Sequence, residues 1–288
     1  MKTVFIGGGN MAQAIIGGLL GKGHDPATIH AIEPIEEART ALTRIGVSSA
    51  PALCIEDFAA DIFVLAVKPQ MMAAAIAPLA GKLASALVIS IAAGIRCEDL
   101  SRWLGGDKPD KPDKQYDYIV RSMPNTPALI HAGISGLYAM PNVTPTQRLQ
   151  TESLLGAVGE TAWFDNEAML DAVTAVSGSG PAYVFYFIEA LEQAAKDMGF
   201  ADVTARKFAV QTFLGSAKLA ANSLESPATL RERVTSKRGT TERAIESFDH
   251  QQLKRHFIEG VKTARARSHE LGLEMSGQST NRDAEKSP

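Results

Sequence analysis

Residues 234–245 read VTSKRGTTERAI, with two cations, a glycine and two threonines directly before a helix-like pattern. A helix N-terminus carries backbone N–H groups without intrahelical partners and the positive end of the helix dipole. Gly239 lets the backbone approach a bound group, and Lys237 and Arg238 add positive charge, so the stretch reads as a small anion site. The same residues also suit an ordinary capped turn with Thr240 or Thr241 as N-cap. A second glycine-bearing junction, FIGGGNMAQAI, places Gly7, Gly9 and Ala12 at the G-x-G-x-x-A spacing. There the first glycine permits a tight turn, the second admits a pyrophosphate and the alanine keeps helix close to sheet. A dinucleotide pyrophosphate would rest on the N–H groups around Asn10 and Met11.

Other candidates are less specific. Glu33 ends the second apolar run, where an acid accepts hydrogen bonds from adenosine ribose hydroxyls and repels a 2′-phosphate. On that physics alone the site tilts toward NADH; a solvated glutamate at a strand tip is the bland alternative. Lys68, in AVKPQ, suits a general acid, a phosphate contact or a solvated cation. RSMPNTPA puts Arg121 and Asn125 beside two prolines, in the pattern of a rigid loop with a polar tip. No histidine or cysteine group has metal-ligand spacing, so no metal is expected, and no local signature assembles a Ser–His–Asp triad.

The elements that must position these residues alternate. TVFIGGG, TIHAIE, DIFVLAVKP, ALVISIAAG, YDYIVRSMPN, GISGLYAM and TAWFD read as strands, several of them nearly continuous apolar runs suited to a parallel sheet buried on both faces. Helical spacing separates most of them, including QMMAAAIAPLAGKL and TPTQRLQTESLLGAVG. The alternation predicts a Rossmann-type doubly wound α/β sheet with right-handed crossovers over residues 1–165. GGDKPDKPDKQYD, residues 105–117, is almost devoid of apolar residues and predicts a solvated loop.

After Asp165 the pattern is helical only, predicting an all-helical dimerisation and substrate domain over 166–273 and a disordered polar tail over 274–288. PAYVFYFIEALEQAAKDMGF is apolar all round in its first half, as in a helix buried against another subunit. Pro181 suits its first turn and Gly199 its stop.

The 288 residues are 45% hydrophobic with a net charge of −3, which supplies real cores and gives no sign of a nucleic-acid surface. Two cysteines form no disulfide framework, no apolar run reaches membrane-spanning length, and a strand comes at once with no leader before it. The expectation is a cytoplasmic protein with no membrane and no nucleic-acid partner.

FIGGGNMAQAIIGGL, AVKPQ, SIAAGI, MPNTPA, AVSGSGPAYVFYFIEAL and LRERVTSKRGTTERAIESF, in this order, resemble the pyrroline-5-carboxylate reductase family, and the last two are specific to it. The resemblance implies a Rossmann domain plus a helical domain interlocked with a second subunit, in a homodimer or a larger homo-oligomer built from dimers. It implies that Ile6, Gly7, Gly8, Gly9, Asn10 and Met11 line the dinucleotide. Ala66, Val67, Lys68 and Pro69 would join them, with Ala92, Ala93 and Gly94. Ser236, Gly239, Thr240 and Thr241 would hold the carboxylate and imine end of 1-pyrroline-5-carboxylate, the substrate partner. The implied cofactor is NADP, with NAD possible because Glu33 stands where many relatives carry Ser or Thr. Two further departures stand out. The family pattern is Ser-Pro-Gly-Gly-Thr-Thr where this chain has Lys237 and Arg238 for Pro-Gly, and Arg233 replaces a frequent Asn.

Reduction of a cyclic imine needs a hydride, an electrophilic carbon and a proton on nitrogen. The ring nitrogen is basic enough to carry that proton, so the site must chiefly orient the reactants. Thr241 is assigned as the hydrogen-bond partner of the ring nitrogen. The competing expectations are a β-hydroxyacid-type dehydrogenase, for which Lys196 sits at the far end of its helix, and a dinucleotide-binding sensor without turnover.

Overall fold

The computed structural model describes residues 1–106 and 115–277, so residues 107–114 of the K-P-D stretch and 278–288 of the tail lie outside the described residues. Strands β1 (Thr3–Ile6), β2 (Ile29–Ile32), β3 (Ser48–Ala50), β4 (Ile62–Leu65), β5 (Leu87–Ser90), β6 (Ile119–Met123), β7 (Gly133–Ala139) and β8 (Gly159–Trp163) form one sheet. Its order is β3-β2-β1-β4-β5-β6-β7-β8. β1, β4 and β5 are buried along their whole length, which is why their sequences run apolar without alternation.

Every pairing is parallel except that of β6 with β7. Only a 3₁₀ turn, Thr126–Ile130, joins those two strands, too little chain for a crossover helix. The uniform alternation expected from sequence is therefore broken there. β3 is also additional to the strands the sequence predicts, since SSA has no apolar run to mark it.

Helices α1 (Asn10–Gly21), α2 (Glu36–Arg44), α3 (Met72–Ile76), α4 (Cys97–Gly105) and α5 (Pro145–Leu155) flank the sheet. Ile15, Ile16, Leu19 and Leu155 pack on one face, and Met72, Ile76, Leu100 and Leu104 on the other. The helix expected over residues 70–83 shrinks to α3, because Pro69 and Pro78 each lack an N–H and set 3₁₀ turns at both ends.

The chain continues through α6 (Met169–Val173), a π-helical turn (Thr174–Gly178), α7 (Gly180–Asp197), α8 (Asp202–Ala221), α9 (Pro227–Arg233), α10 (Thr240–His250) and α11 (Leu253–Met275). The described residues form two compact units, Met1–Gly178 together with the chain from Ala264, and Ser179–Thr263. The sequence had suggested a division near residue 165. It differs because α6 and the end of α11 pack on the sheet-bearing unit: buried Ser268 donates to Asp171 at 2.8 Å. α11 runs on to Met275, two residues into the stretch expected from sequence to be a disordered tail.

In the helical unit Phe187 and Tyr183 pack on the Phe257 ring, with centroids 5.5 and 5.7 Å away. Phe185, Tyr186, Phe208 and Leu219 are exposed. Among the described residues no helix is long and apolar enough to cross a membrane.

Candidate active site

β1 lies between β2 and β4, so the strand order reverses direction beside it. In open parallel sheets such a switch point leaves a crevice at the carboxyl ends of the strands. Ile6, Leu65 and Ser90 are aligned in the registers of β1, β4 and β5, so three loops leave the sheet side by side. They carry Gly7, Gly8 and Gly9, then Ala66, Val67, Lys68 and Pro69, then Ala92, Ala93 and Gly94.

Gly7 has φ +103, and a Cβ there would stand 2.9 Å from the Ala66 carbonyl and the Val67 nitrogen. Conformation and space both require glycine. Gly9 is the N-cap of α1 and has no side chain to cap it, which leaves the first-turn N–H groups around Asn10 and Met11 without a side-chain cap. An uncapped helix start behind a glycine turn fits a dinucleotide pyrophosphate. Gly94, at φ +78, is backed by the last turns of α11, where Gly272 and Leu271 make ordinary contact.

Glu33 is buried, and its carboxylate is already engaged: the Gly8 N–H donates to Oε2 and the Ile35 N–H to Oε1, both at 2.8 Å. Arg39 donates to the carbonyls of Glu33 and Pro34 at 2.9 and 2.7 Å. The acid at the end of β2 thus shapes the glycine turn directly. It is no solvated residue at a strand tip. Lys68 is exposed.

Arg121 and Asn125 take structural roles that sequence reasoning missed. Arg121 is buried and donates to Glu167 Oε1 at 2.9 Å, and the same oxygen accepts the Cys97 N–H at 2.8 Å. Burial and the nearby Glu167 carboxylate push the Cys97 thiol well up, which makes it an inert packing group. Asn125 donates to the Ser177 carbonyl at 3.1 Å and accepts the Ile134 N–H at 2.9 Å. No local signal identifies Glu167, because its partners lie far away in the chain.

The second unit carries the other loop. Gly239 is the N-cap of α10 and supplies no side-chain cap, so neither Thr240 nor Thr241 is the N-cap. The helix thus starts at least one residue earlier than the capped-turn reading expects, and the first-turn N–H groups receive no side-chain cap from Gly239. Gly239 has φ −87, and a Cβ there would lie 2.7 Å from Ser236 Oγ and 2.9 Å from the Ser236 carbonyl oxygen. Its glycine is required by close approach alone. The left-handed position is Arg238, at φ +61, a conformation that costs a side-chain-bearing residue about 1 kcal/mol. Ser236 and Thr240 are exposed and Thr241 half-buried. Arg233 is paired with Glu225. Lys196 is held by Glu192 at 2.8 Å, and that hydrogen bond raises its pKa further, which ill suits a proton-transferring lysine. Among the described residues no cluster of His, Cys, Asp or Glu could hold a metal ion.

Sheet, switch point and glycine turn define a Rossmann-type α/β protein with a separate helical unit. Comparison with known proteins narrows the class. Residues 167–271 match a family model described as pyrroline-5-carboxylate reductase dimerisation, and residues 2–94 one described as NADP oxidoreductase, coenzyme F420-dependent. A pyrroline-5-carboxylate reductase of Pseudomonas aeruginosa is 44% identical over 95% of this chain and 98% of its own length. The solved structure of the Coxiella burnetii reductase is 37% identical with a TM-score of 0.86, covering 94% of this chain and 98% of that one. A Plasmodium falciparum pyrroline carboxylate reductase solved with NADP bound is 26% identical with a TM-score of 0.80, at the same coverage. The chain belongs to the pyrroline-5-carboxylate reductase family.

Proposed function

We infer that this chain reduces 1-pyrroline-5-carboxylate to L-proline, the last step of proline biosynthesis, as an NAD(P)H-dependent oxidoreductase. The observation that carries the reading is that two uncapped helix starts, each behind a glycine, stand in one chain that is 44% identical to a reductase of this kind over 95% of its length. Bound in the crevice at the strand ends, the dinucleotide would supply the hydride for the imine carbon. The first-turn N–H groups of α1 would hold its pyrophosphate, while Gly7 makes the turn and Gly9 gives it room. Residues 66–69 and 92–94 line its remaining length.

The substrate carboxylate rests on the N–H groups that open α10, with Ser236, Gly239 and Thr240 around it. Thr241 Oγ accepts a hydrogen bond from the protonated ring nitrogen, which fixes the ring for hydride transfer. Orientation of this kind removes much of the barrier without a strong enzyme acid. NADP is the cofactor we favour, as in the Plasmodium relative, and Glu33 keeps NAD open.

The helical unit, with its exposed aromatic residues and its match to a dimerisation family, supports a homodimer or a homo-oligomer built from dimers. The free cysteines Cys54 and Cys97 suit a reducing compartment, and we place the protein in the cytoplasm. Spectrophotometric assay with 1-pyrroline-5-carboxylate and each reduced nicotinamide tests the function. Substrate-dependent oxidation is expected; tight dinucleotide binding without it would mean a sensor instead.

A further inference from the structure

The loop that opens α10 carries a residue with a side chain at a position whose backbone is left-handed. Arg238 sits at φ +61, where glycine is at ease and a residue with a Cβ is not. Left to itself, an arginine there would relax toward the right-handed region. That rotation would swing the peptide between Arg238 and Gly239 and break the fit of Gly239 against Ser236. The Gly239 N–H now donates to the Ser236 carbonyl at 3.0 Å.

A counterweight is present on the same loop. Glu242, half-buried in the first turn of α10, turns its carboxylate back so that Oε2 accepts the Arg238 N–H at 2.6 Å. A bond to a charged acceptor is stronger than a neutral one, and this one is made to the strained residue itself.

We propose that Glu242 is a positioning residue that holds Arg238 in the left-handed conformation and so does for this loop what a glycine at 238 would do unaided. The proposal rests on the reading of residues 236–241 as the substrate-carboxylate loop. It assigns Glu242 no contact with substrate: its effect passes through the backbone of Arg238 to the N–H groups of the loop. Removing the carboxylate should matter only while residue 238 carries a side chain.

The test is a double-mutant cycle. Steady-state kinetics with 1-pyrroline-5-carboxylate would compare the parent with Glu242→Leu, Arg238→Gly and the double variant, with dinucleotide affinity measured separately by fluorescence quenching. Glu242→Leu should raise the substrate KM about tenfold, with a smaller change in kcat and no change in dinucleotide affinity. Glu242→Gln keeps an acceptor at the same reach without its charge and should fall between the parent and Glu242→Leu. The double variant should recover most of the loss.

A double variant as impaired as Glu242→Leu alone would overturn the proposal, as would a Glu242→Gln variant more impaired than Glu242→Leu. Hydrogen exchange gives a readout independent of turnover. The Arg238 amide should exchange more slowly in the parent than in Glu242→Leu, and equal rates would overturn the proposal. A parent that turns over no pyrroline-5-carboxylate refutes the functional reading, while the exchange result still decides the role of Glu242.

Discussion

Gly239 is a glycine for lack of space, and this decides what its replacement should do. A Cβ would press on Ser236 Oγ and its carbonyl oxygen, so Gly239→Val must push the loop open. We expect it to cripple turnover while dinucleotide affinity, measured by titration, stays near the parent value. Loss of both together would make the loop a structural cap. Thr241→Ala should lower kcat more than it raises KM, with a loss of about 1–3 kcal/mol if the hydroxyl meets a charged, buried ring nitrogen. Lys237→Ala should matter less, because a solvated charge steers a substrate more than it holds it. Glu33 is a different case, since its carboxylate accepts from two backbone donors, the buried Gly8 N–H and the Ile35 N–H. Glu33→Ser should shift the kcat/KM ratio toward NADPH by removing repulsion from a 2′-phosphate. Both efficiencies should fall, because the Gly8 N–H loses its acceptor. An unchanged ratio would mean that the acid acts only on the turn.

Elements were legible where a run of neighbours carries the signal. β1, β4 and β5 are short apolar runs because both faces of the sheet are covered, and Gly7 marks where β1 must turn. Pro78 marks the interruption after α3, although the helical pattern around it conceals how short that helix is. Arg121 shows the other side. Its neighbours are those of a polar loop tip, yet it is buried in the middle of β6 and linked by Glu167 to the start of α4. Arg121→Ala would leave the Glu167 carboxylate without its cation. The expected destabilisation is about 3 kcal/mol, read from denaturant unfolding. A variant as stable as the parent would mean that solvent takes over the pairing, as it does for exposed ion pairs.

At the scale of the molecule, the apolar surface of the helical unit decides association. The first half of α7 is apolar on every side, and inside the unit only part of that surface finds partners. Phe187 packs on Phe257, but Phe185 is 66% exposed. Phe187→Asp would therefore unsettle the unit itself, whereas Phe185→Asp tests the interface. It should yield monomers by light scattering, with the helical signal in circular dichroism retained and activity lost. A fully active monomer would show that each chain carries a complete site.

Fold class, the glycine turn and the helical second half follow from the sequence alone, because hydrophobic period and turn chemistry are written in adjacent residues. Only the tertiary structure decides the rest. β3 exists because its backbone completes the pairing of β2, with no apolar run of its own. The end of α11 belongs with the sheet because Ser268 finds Asp171 across 97 positions of chain. Whether Glu33 lies in solvent or under the glycine turn, and whether residue 238 or 239 takes the left-handed backbone, depends on which groups the folded chain brings within hydrogen-bond reach. Spacing in the sequence names the groups that could meet, and only the return path of the chain selects the ones that do.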